Sequence, residues 1–324
     1  PLLCFSPLLS DLRQQFKRIF ILNSSYSVGS VSLAANVPPL GEVAEIEAQM
    51  FGSALHFNRC TDVQLTTKTA ILPNCCYALA RDFKLNELMK PLGIKNYGSI
   101  PHLSNSKLGT GDHFIDKGQE RILTEKLRDK NDEIFVFEKY DGSNVGIGKV
   151  ENRIVALTRS GYIANTSPYK QHHLFSDWVY KNIMTWMDLL ENGERITGEW
   201  LAQAHGIKYN IDSRLQPIVF FDHFTANNQR SSFDVLDSFY NKYEIQLPRL
   251  LHRGKSETVE NILPELNKKT YGIMPDEKPE GMVYRVERKG KVDFLAKWVR
   301  SDFEAGKYIM NKEEKDLVYN VNFL

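Results

Sequence analysis

The sequence predicts an α+β fold in which antiparallel sheets carry flanking helices. Three observations lead there. Short extended runs separated by turn residues cluster between residues 132 and 158 and again between 281 and 299. Between these clusters, Leu174, Trp178, Ile183, Trp186 and Leu190 recur at roughly helical spacing. No internal repeat or low-complexity tract interrupts the pattern.

Composition sets the bounds. The chain has 324 residues, 41 Lys+Arg against 40 Asp+Glu, and 42% hydrophobic and 11% aromatic residues, so a sizeable core can form and a disordered chain is excluded. Apolar stretches such as Pro217 to Phe221 fall far short of the ~20 residues a membrane-spanning helix needs. Four cysteines in this length make no disulfide framework. The expectation is a cytoplasmic protein without a membrane partner, monomeric by default. A net charge of +1 carries no global nucleic-acid signal, although a local basic groove can hide within a neutral total.

Residues 1–88 differ from the rest. They hold 14 of the 81 charged residues, all four cysteines (Cys4, Cys60, Cys75, Cys76) and none of the tryptophans, and they show no sustained period. Two readings stay open: a small N-terminal module, or an extension preceding a start at Met89. Cys75-Cys76 has no second Cys or His pair at ligand spacing, so ordinary thiols are expected.

The elements of residues 89–324 follow in order. Glu133 to Lys139 reads as a strand closed by Asp141-Gly142-Ser143-Asn144, with a second extended run from Val145 to Val150; Asp-Gly between two such runs predicts a hairpin. Arg153 to Thr158 gives another strand. The periodic segment from Leu174 to Leu190 predicts one long helix stopped by Gly193. Strands are expected at Arg195 to Ala202 and Pro217 to Phe224, and a helix near Ser231 to Tyr243, where Ser231 and Asp234 have capping-box spacing. A helix around Thr258 to Asn267 contains Pro264 and must be short or broken. Strands Gly281 to Glu287 and Val292 to Val299 follow, then a short helix with Ser301 and Glu304 as its capping box.

Lys139-Tyr140-Asp141-Gly142 is the most informative tetrapeptide. A lysine at the end of a buried strand is costly unless it has a partner or a task. Nucleophilic attack by a neutral ε-amine on the α-phosphorus of a nucleotide is a task that fits. At pH 7 an unperturbed lysine is neutral in roughly one molecule in 2,000, so the site is expected to lower its pKa through desolvation and nearby cations or metal.

Four further elements follow in order: Gly198-Glu199-Trp200, Phe220-Phe221-Asp222, Glu280-Gly281-Met282-Val283 and Ala296-Lys297-Trp298. With these, residues 95–310 resemble the covalent nucleotidyltransferase superfamily of polynucleotide ligases and RNA capping enzymes, and within it the ATP-dependent RNA ligases of the RNA ligase 2-like branch. Ile100-Pro-His-Leu-Ser and Gly109-Thr-Gly111-Asp112 are similar to the lead-in of some bacterial and phage relatives.

The resemblance implies an ATP-grasp-like ligase adenylation domain over residues 89–324. No C-terminal OB domain is expected, because 27 residues after Lys297 are too few for a five-stranded barrel. That argues against a DNA ligase or an mRNA guanylyltransferase, its rivals alongside a catalytically inactive nucleic-acid-binding homologue. By position, Lys139 corresponds to the lysine that becomes AMP-linked, and Asp141-Gly142 to the turn presenting it. Arg159 falls where relatives use an arginine toward the nucleotide, with a solvated strand-end cation as the plain alternative. Glu199 matches the glutamate that contacts the ribose or a metal-bound water. Phe221 matches the aromatic that stacks on adenine, such stacking contributing ~1–3 kcal/mol; Phe220 is the expected core member of the pair, and Asp222 supports the site from behind.

Glu280 matches the remaining motif glutamate, so Glu280 and Glu199 are the candidate ligands for Mg²⁺, with Mn²⁺ as a substitute. Lys297 matches the lysine that neutralises the α-phosphate. Relatives commonly carry Lys-x-Lys there, whereas this chain reads Lys297-Trp298-Val299-Arg300. The implied partner is RNA, its 5′-phosphate and 3′-hydroxyl ends joined in the course of RNA repair. Lys107, Lys126, Arg128 and Lys130 are candidate backbone contacts, or an ordinary solvated face. His172-His173 is expected to be a solvated helix start, and His205 a residue lining the site or a structural histidine.

Overall fold

The computed structural model describes residues 90–212, 215–268 and 272–321; the expectations for residues 1–88 lie outside them. Strand β1 (Asp132–Lys139) is buried at nearly every position, with the apolar run Ile134 to Phe137 at its centre, because both its faces are covered. Ile134 and Val136 face a core shared with Leu123 of α1 (Lys117–Thr124) and Ile262 and Leu266 of α5 (Val259–Leu266). Phe135 and Phe137 face the opposite core, where their rings lie 5.3 and 4.9 Å from that of Phe233.

Two four-stranded antiparallel sheets result. The first has the order β6-β1-β7-β8, with β6 at Leu250–Gly254, β7 at Gly281–Arg288 and β8 at Lys291–Val299. The second has the order β3-β2-β4-β5, from β2 (Ser143–Val150), β3 (Arg153–Thr158), β4 (Arg195–Trp200) and β5 (Ile218–Phe224). Helices α2 (Lys170–Lys181), α3 (Ile183–Leu189) and α4 (Phe233–Tyr243) contribute Phe175, Trp186 and Leu236 to the core beneath the second sheet. Among the described residues no helix is long and apolar enough to cross a membrane.

The hairpin expected at Asp141-Gly142 does not form. β1 pairs with β6 and β7, while β2 pairs with β3 and β4, so residues 140–142 carry the chain from one sheet to the other. A Cβ on Gly142 would lie 2.4 Å from the Trp200 carbonyl oxygen, which is why this crossing needs glycine. The two-residue turns that do form hairpins are Glu151-Asn152 and Lys289-Gly290, all four at positive φ as the twist of tight hairpins demands.

The predicted long helix is two helices. They meet at Asn182, whose side-chain amide donates to the Trp178 carbonyl (2.8 Å). The break brings the rings of Trp178 and Trp186 to 5.4 Å and leaves Ile183 off the apolar stripe, 37% exposed. In α4 the first helical residue is Phe233, because Ser231 is engaged elsewhere, its hydroxyl on His223 and its carbonyl on Arg285. Helix α5 tolerates Pro264 only two residues from its end. The segment after Ser301 forms turns instead of the expected helix, with Gly306 in the left-handed region (φ 72°). α1, capped by Asp116, and β6 are elements that the sequence analysis does not place.

A buried ionic clamp joins the sheets. Arg285 of β7 donates to Asp222 of β5 (2.6 Å) and to Glu287 (2.6 Å), and Glu287 accepts the backbone N–H of Phe233 (2.7 Å). Removing one member of such a buried network leaves an uncompensated charge, typically costing ~3–5 kcal/mol.

Candidate active site

The end of β1 sets the first residue. Lys139 pairs in register with Gly281, the first residue of β7, so the residue before it, Glu280, arrives at the same sheet edge. Glycine is required at 281, where a Cβ would stand 1.9 Å from the Trp298 carbonyl oxygen. Lys139 Nζ then lies 2.6 Å from Glu280 Oε2. The Glu280 backbone is held by Arg300, whose N–H donates to the Glu280 carbonyl (3.1 Å) and whose guanidinium donates to that of Pro279 (2.7 Å). Arg300 also pairs with Asp302 (2.8 Å).

The crossing from β1 to β2 is tied down on both sides. Asp141 Oδ2 accepts the N–H groups of Gly206 and Ile207 (2.6 and 3.0 Å), and the Asp141 N–H donates to the Tyr209 hydroxyl (2.9 Å). Gly142 N–H donates to Glu199 Oε1 (3.1 Å), which brings the β4 glutamate against the turn that presents Lys139. Asp141 therefore anchors the turn, and Glu199 and Glu280 are the carboxylates that surround the amine.

Burial pushes both carboxyls, Glu199 and Glu280, up to about 7, with the Lys139 charge pulling back. The lysine stands on the other side of its ordinary value from the expectation, which counted on nearby cations or metal besides burial. Burial acts to depress its amine, but Glu280 and then Glu199 outweigh burial, and the ammonium is held above the ordinary lysine range. The resemblance already places both glutamates at the site; what it leaves out is that their charges outweigh the desolvation of the amine.

Lys297, on β8, reaches the same site from the first sheet. Its amine is lowered by burial and by Lys139, and it stands 3.4 Å from Asp112 Oδ1. Asp112 Oδ2 is 2.8 Å from His102 Nε2, and His102 Nδ1 is 2.6 Å from the Ser106 hydroxyl, which accepts the Val299 N–H (2.8 Å). Burial, then Lys297, holds His102 below the usual imidazole range. A neutral ring satisfies this chain of bonds: Nε2–H donates to Asp112 and Nδ1 accepts from Ser106.

A β-bulge settles the two phenylalanines. Thr197 opposes Asp222 and Gly198 opposes Phe220, which leaves Phe221 as the extra residue of β5. Phe220 is fully buried in the core, while Phe221 is half-buried and meets Tyr97 edge-on at 5.1 Å. Asp222 sits in the interior with its oxygens taken by Tyr97 (2.6 Å), Arg230 (3.0 Å) and Arg285 (2.6 Å), a sheet-joining position. Arg159 is exposed at the end of β3, close to Ser99 (3.4 Å).

The donor set suits a hard divalent cation. Glu199 and Glu280 offer carboxylate oxygens in a buried site, and among the described residues no three His, Cys, Asp or Glu side chains gather closely enough to hold a metal by themselves. Such a site matches an ion that takes one or two carboxylates and completes its shell with phosphate oxygens and water.

Of the basic residues expected at the mouth, Arg128 is committed to Asp293 (2.5 Å) and Asp132 (3.3 Å), and Lys107 donates to the Phe303 carbonyl. His172 is not a solvated helix start: its ring nitrogens lie 2.9 Å from the Ser143 hydroxyl and 2.6 Å from that of Ser167. His205 lies 3.1 Å from Gln171. Pattern reading misses the roles of Tyr209, whose hydroxyl meets Asp141 across 68 positions, and of His102, whose ring bridges Ser106 and Asp112.

Residues 132–299 match the family model described as RNA ligase. No curated protein matches the chain. Among solved structures, the chain is similar to an archaeal ATP-dependent RNA ligase in its form 2 (21% identity, TM-score 0.37, covering 55% of this chain and 44% of that one). It is also similar to a Naegleria gruberi RNA ligase mutant with AMP and Mn (16% identity, TM-score 0.41, covering 64% of this chain and 60% of that one). The chain thus spans 44% to 60% of the length of these two proteins.

Proposed function

Because the chain belongs to the RNA ligase family, we propose that it is an ATP-dependent RNA ligase that seals 5′-phosphate and 3′-hydroxyl ends through a lysyl-AMP on Lys139, in RNA repair, with residues 89–324 as its adenylation domain. The observation that carries this is the junction of the two sheets, where Lys139 Nζ meets Glu280 Oε2 at 2.6 Å beside Glu199 and within the field of Lys297.

In the first step Lys139 Nζ, once deprotonated, attacks the α-phosphorus of ATP; an N–P bond forms, the bond to the β-phosphate oxygen breaks, and pyrophosphate leaves. Glu280 is the acceptor already in place on the amine. Bound Mg²⁺ or Mn²⁺ would supply the positive charge that favours the neutral amine and offsets the charge of pyrophosphate, with Glu280 and Glu199 as its ligands. Lys297 neutralises the transferring phosphoryl group, and Phe221, set out by the bulge, offers its face to adenine. An oxygen of the RNA 5′-phosphate then attacks the same phosphorus and breaks the N–P bond; finally the 3′-hydroxyl attacks the RNA phosphorus and AMP departs. These steps need positioning and charge neutralisation more than relayed proton transfer, which fits a site of lysines and carboxylates.

The test is intact mass after incubation with ATP and Mg²⁺, starting from protein freed of bound nucleotide. An AMP-sized gain in the wild type that Lys139→Ala abolishes supports the proposal; no gain with ATP overturns it.

A further inference from the structure

Arg195 opens β4, and its side chain is buried, 3% exposed. A buried charge ordinarily has an opposite charge against it. Arg195 has none within ion-pairing distance among the described residues: its Nε donates to the Asn96 carbonyl (3.0 Å), one Nη to Asn228 Oδ1 (2.6 Å), and its guanidinium lies 3.9 Å from the centroid of Phe224. Its chain neighbour Glu194 turns instead to His223 (3.4 Å). Nearby, two carboxylates, Asp222 and Glu287, already serve two arginines, Arg230 and Arg285. Burial, then Arg230, lowers the Arg195 guanidinium to about 10, against the opposing pull of Asp222.

Beside Arg195 opens a cavity of about 350 Å³ whose polar lining comes from Lys95, Asn96, Arg195, Asn228 and Arg230, with Phe224 as its aromatic wall and no carboxylate side chain in the lining. A lining with three cationic side chains, one of them an arginine with no carboxylate partner, forms a receptor for a phosphate. Arg195 precedes Glu199 by four residues on one strand face, about 13 Å along β4 at ~3.3 Å per residue. A helical strand, with one charge per ~3.4 Å, covers that in about four nucleotides.

We propose that this pocket binds a backbone phosphate of the RNA, a few nucleotides from the end held at Lys139. The assignment rests on RNA being the substrate, as argued above. A phosphate of a free nucleotide has the same chemistry, so the experiment separates the two. Binding of a nicked RNA duplex and of ATP is measured for wild type, Lys95→Ala and Arg195→Gln across a range of salt, with thermal unfolding as the folding check. Lys95 is exposed, so its variant reports on the pocket even if Arg195→Gln does not fold.

The expected result is RNA affinity about fivefold weaker for Lys95→Ala and about tenfold weaker for Arg195→Gln, with the slope of log K against log salt smaller by about one in each. RNA affinity and slope unchanged in Lys95→Ala and in folded Arg195→Gln overturn the proposal, as does a loss confined to ATP. Wild-type adenylylation is scored separately: if the wild type takes no AMP while Lys95→Ala still weakens RNA, the ligase reading fails and the phosphate pocket stands.

Discussion

The Lys139 ammonium and the Glu280 carboxylate lie 2.6 Å apart across 141 positions of sequence because β1 ends where β7 begins. The same contact that presents the amine also keeps it protonated. Burial pushes the carboxyls of Glu280 and Glu199 up to about 7 beside that ammonium.

Glu280→Gln preserves side-chain shape while removing the acceptor charge and one carboxylate of the proposed cation site. Adenylylation is expected to fall about 10²-fold, the scale of losing one charge-stabilising group in a desolvated site. Single-turnover formation of the AMP adduct at saturating ATP checks this; a rate within about threefold of wild type would remove Glu280 from the chemistry.

Asp112 links Lys297 to His102, with Lys297 Nζ at 3.4 Å and His102 Nε2 at 2.8 Å. Asp112→Asn removes the charge that orients the Lys297 ammonium, and the adduct is expected to form about tenfold more slowly, with Asp112→Glu recovering part of the loss. Equal rates for Asp112→Asn and wild type would show that Lys297 positions itself.

Legibility in the sequence tracks the kind of interaction. Lys139, Glu199, Glu280 and Lys297 were legible because each stands at a strand end in an ordered series of motifs, and β1, β7 and β8 because their apolar faces are covered. The partners of those strands were not legible: Asp141-Gly142 looks like a hairpin whether the chain turns back or crosses to another sheet, and only the long-range pairing of β1 with β6 and β7 and of β2 with β3 and β4 distinguishes the two. The single long helix failed for a similar reason, since Asn182 breaks it through one side-chain bond that leaves the spacing nearly helical. The resemblance named the family and a candidate lysine, but the charge state of Lys139 depends on how close the fold brings Glu280 and Glu199 to it.

Gly142 gives a test of the crossing. In Gly142→Ala the added methyl meets a backbone oxygen at 2.4 Å, which cannot swing away as a side chain would. Overpacking of this kind costs ~1–3 kcal/mol, a fall in melting temperature of roughly 3–10 °C for a domain of this size. Gly98→Ala is the control, since no atom lies within 4 Å of its added methyl. Matching melting temperatures for the two variants would contradict the crossing as described.

His172 supplies the pH dependence. Burial, then His173 and His205, push its imidazole down to about 4, against ~6.5 for an unfolded histidine. Above pH ~6.5 the ring is neutral in both states and the stability associated with burying it is fully present. As the pH falls from there toward 4, the unfolded chain binds a proton that the folded ring refuses, so stability is lost, by about 2–3 kcal/mol for this group. His172→Gln removes the titration while leaving an amide that can bond to Ser143 or Ser167, the hydroxyls His172 touches at 2.9 and 2.6 Å. Urea unfolding at pH ~7.5 and ~4.5 should therefore show wild type losing more stability on acidification than His172→Gln, the other carboxyls and histidines contributing alike to both. Equal losses in the two proteins would mean that His172 titrates normally in the folded state, and that its place between Ser143 and Ser167 is open to water.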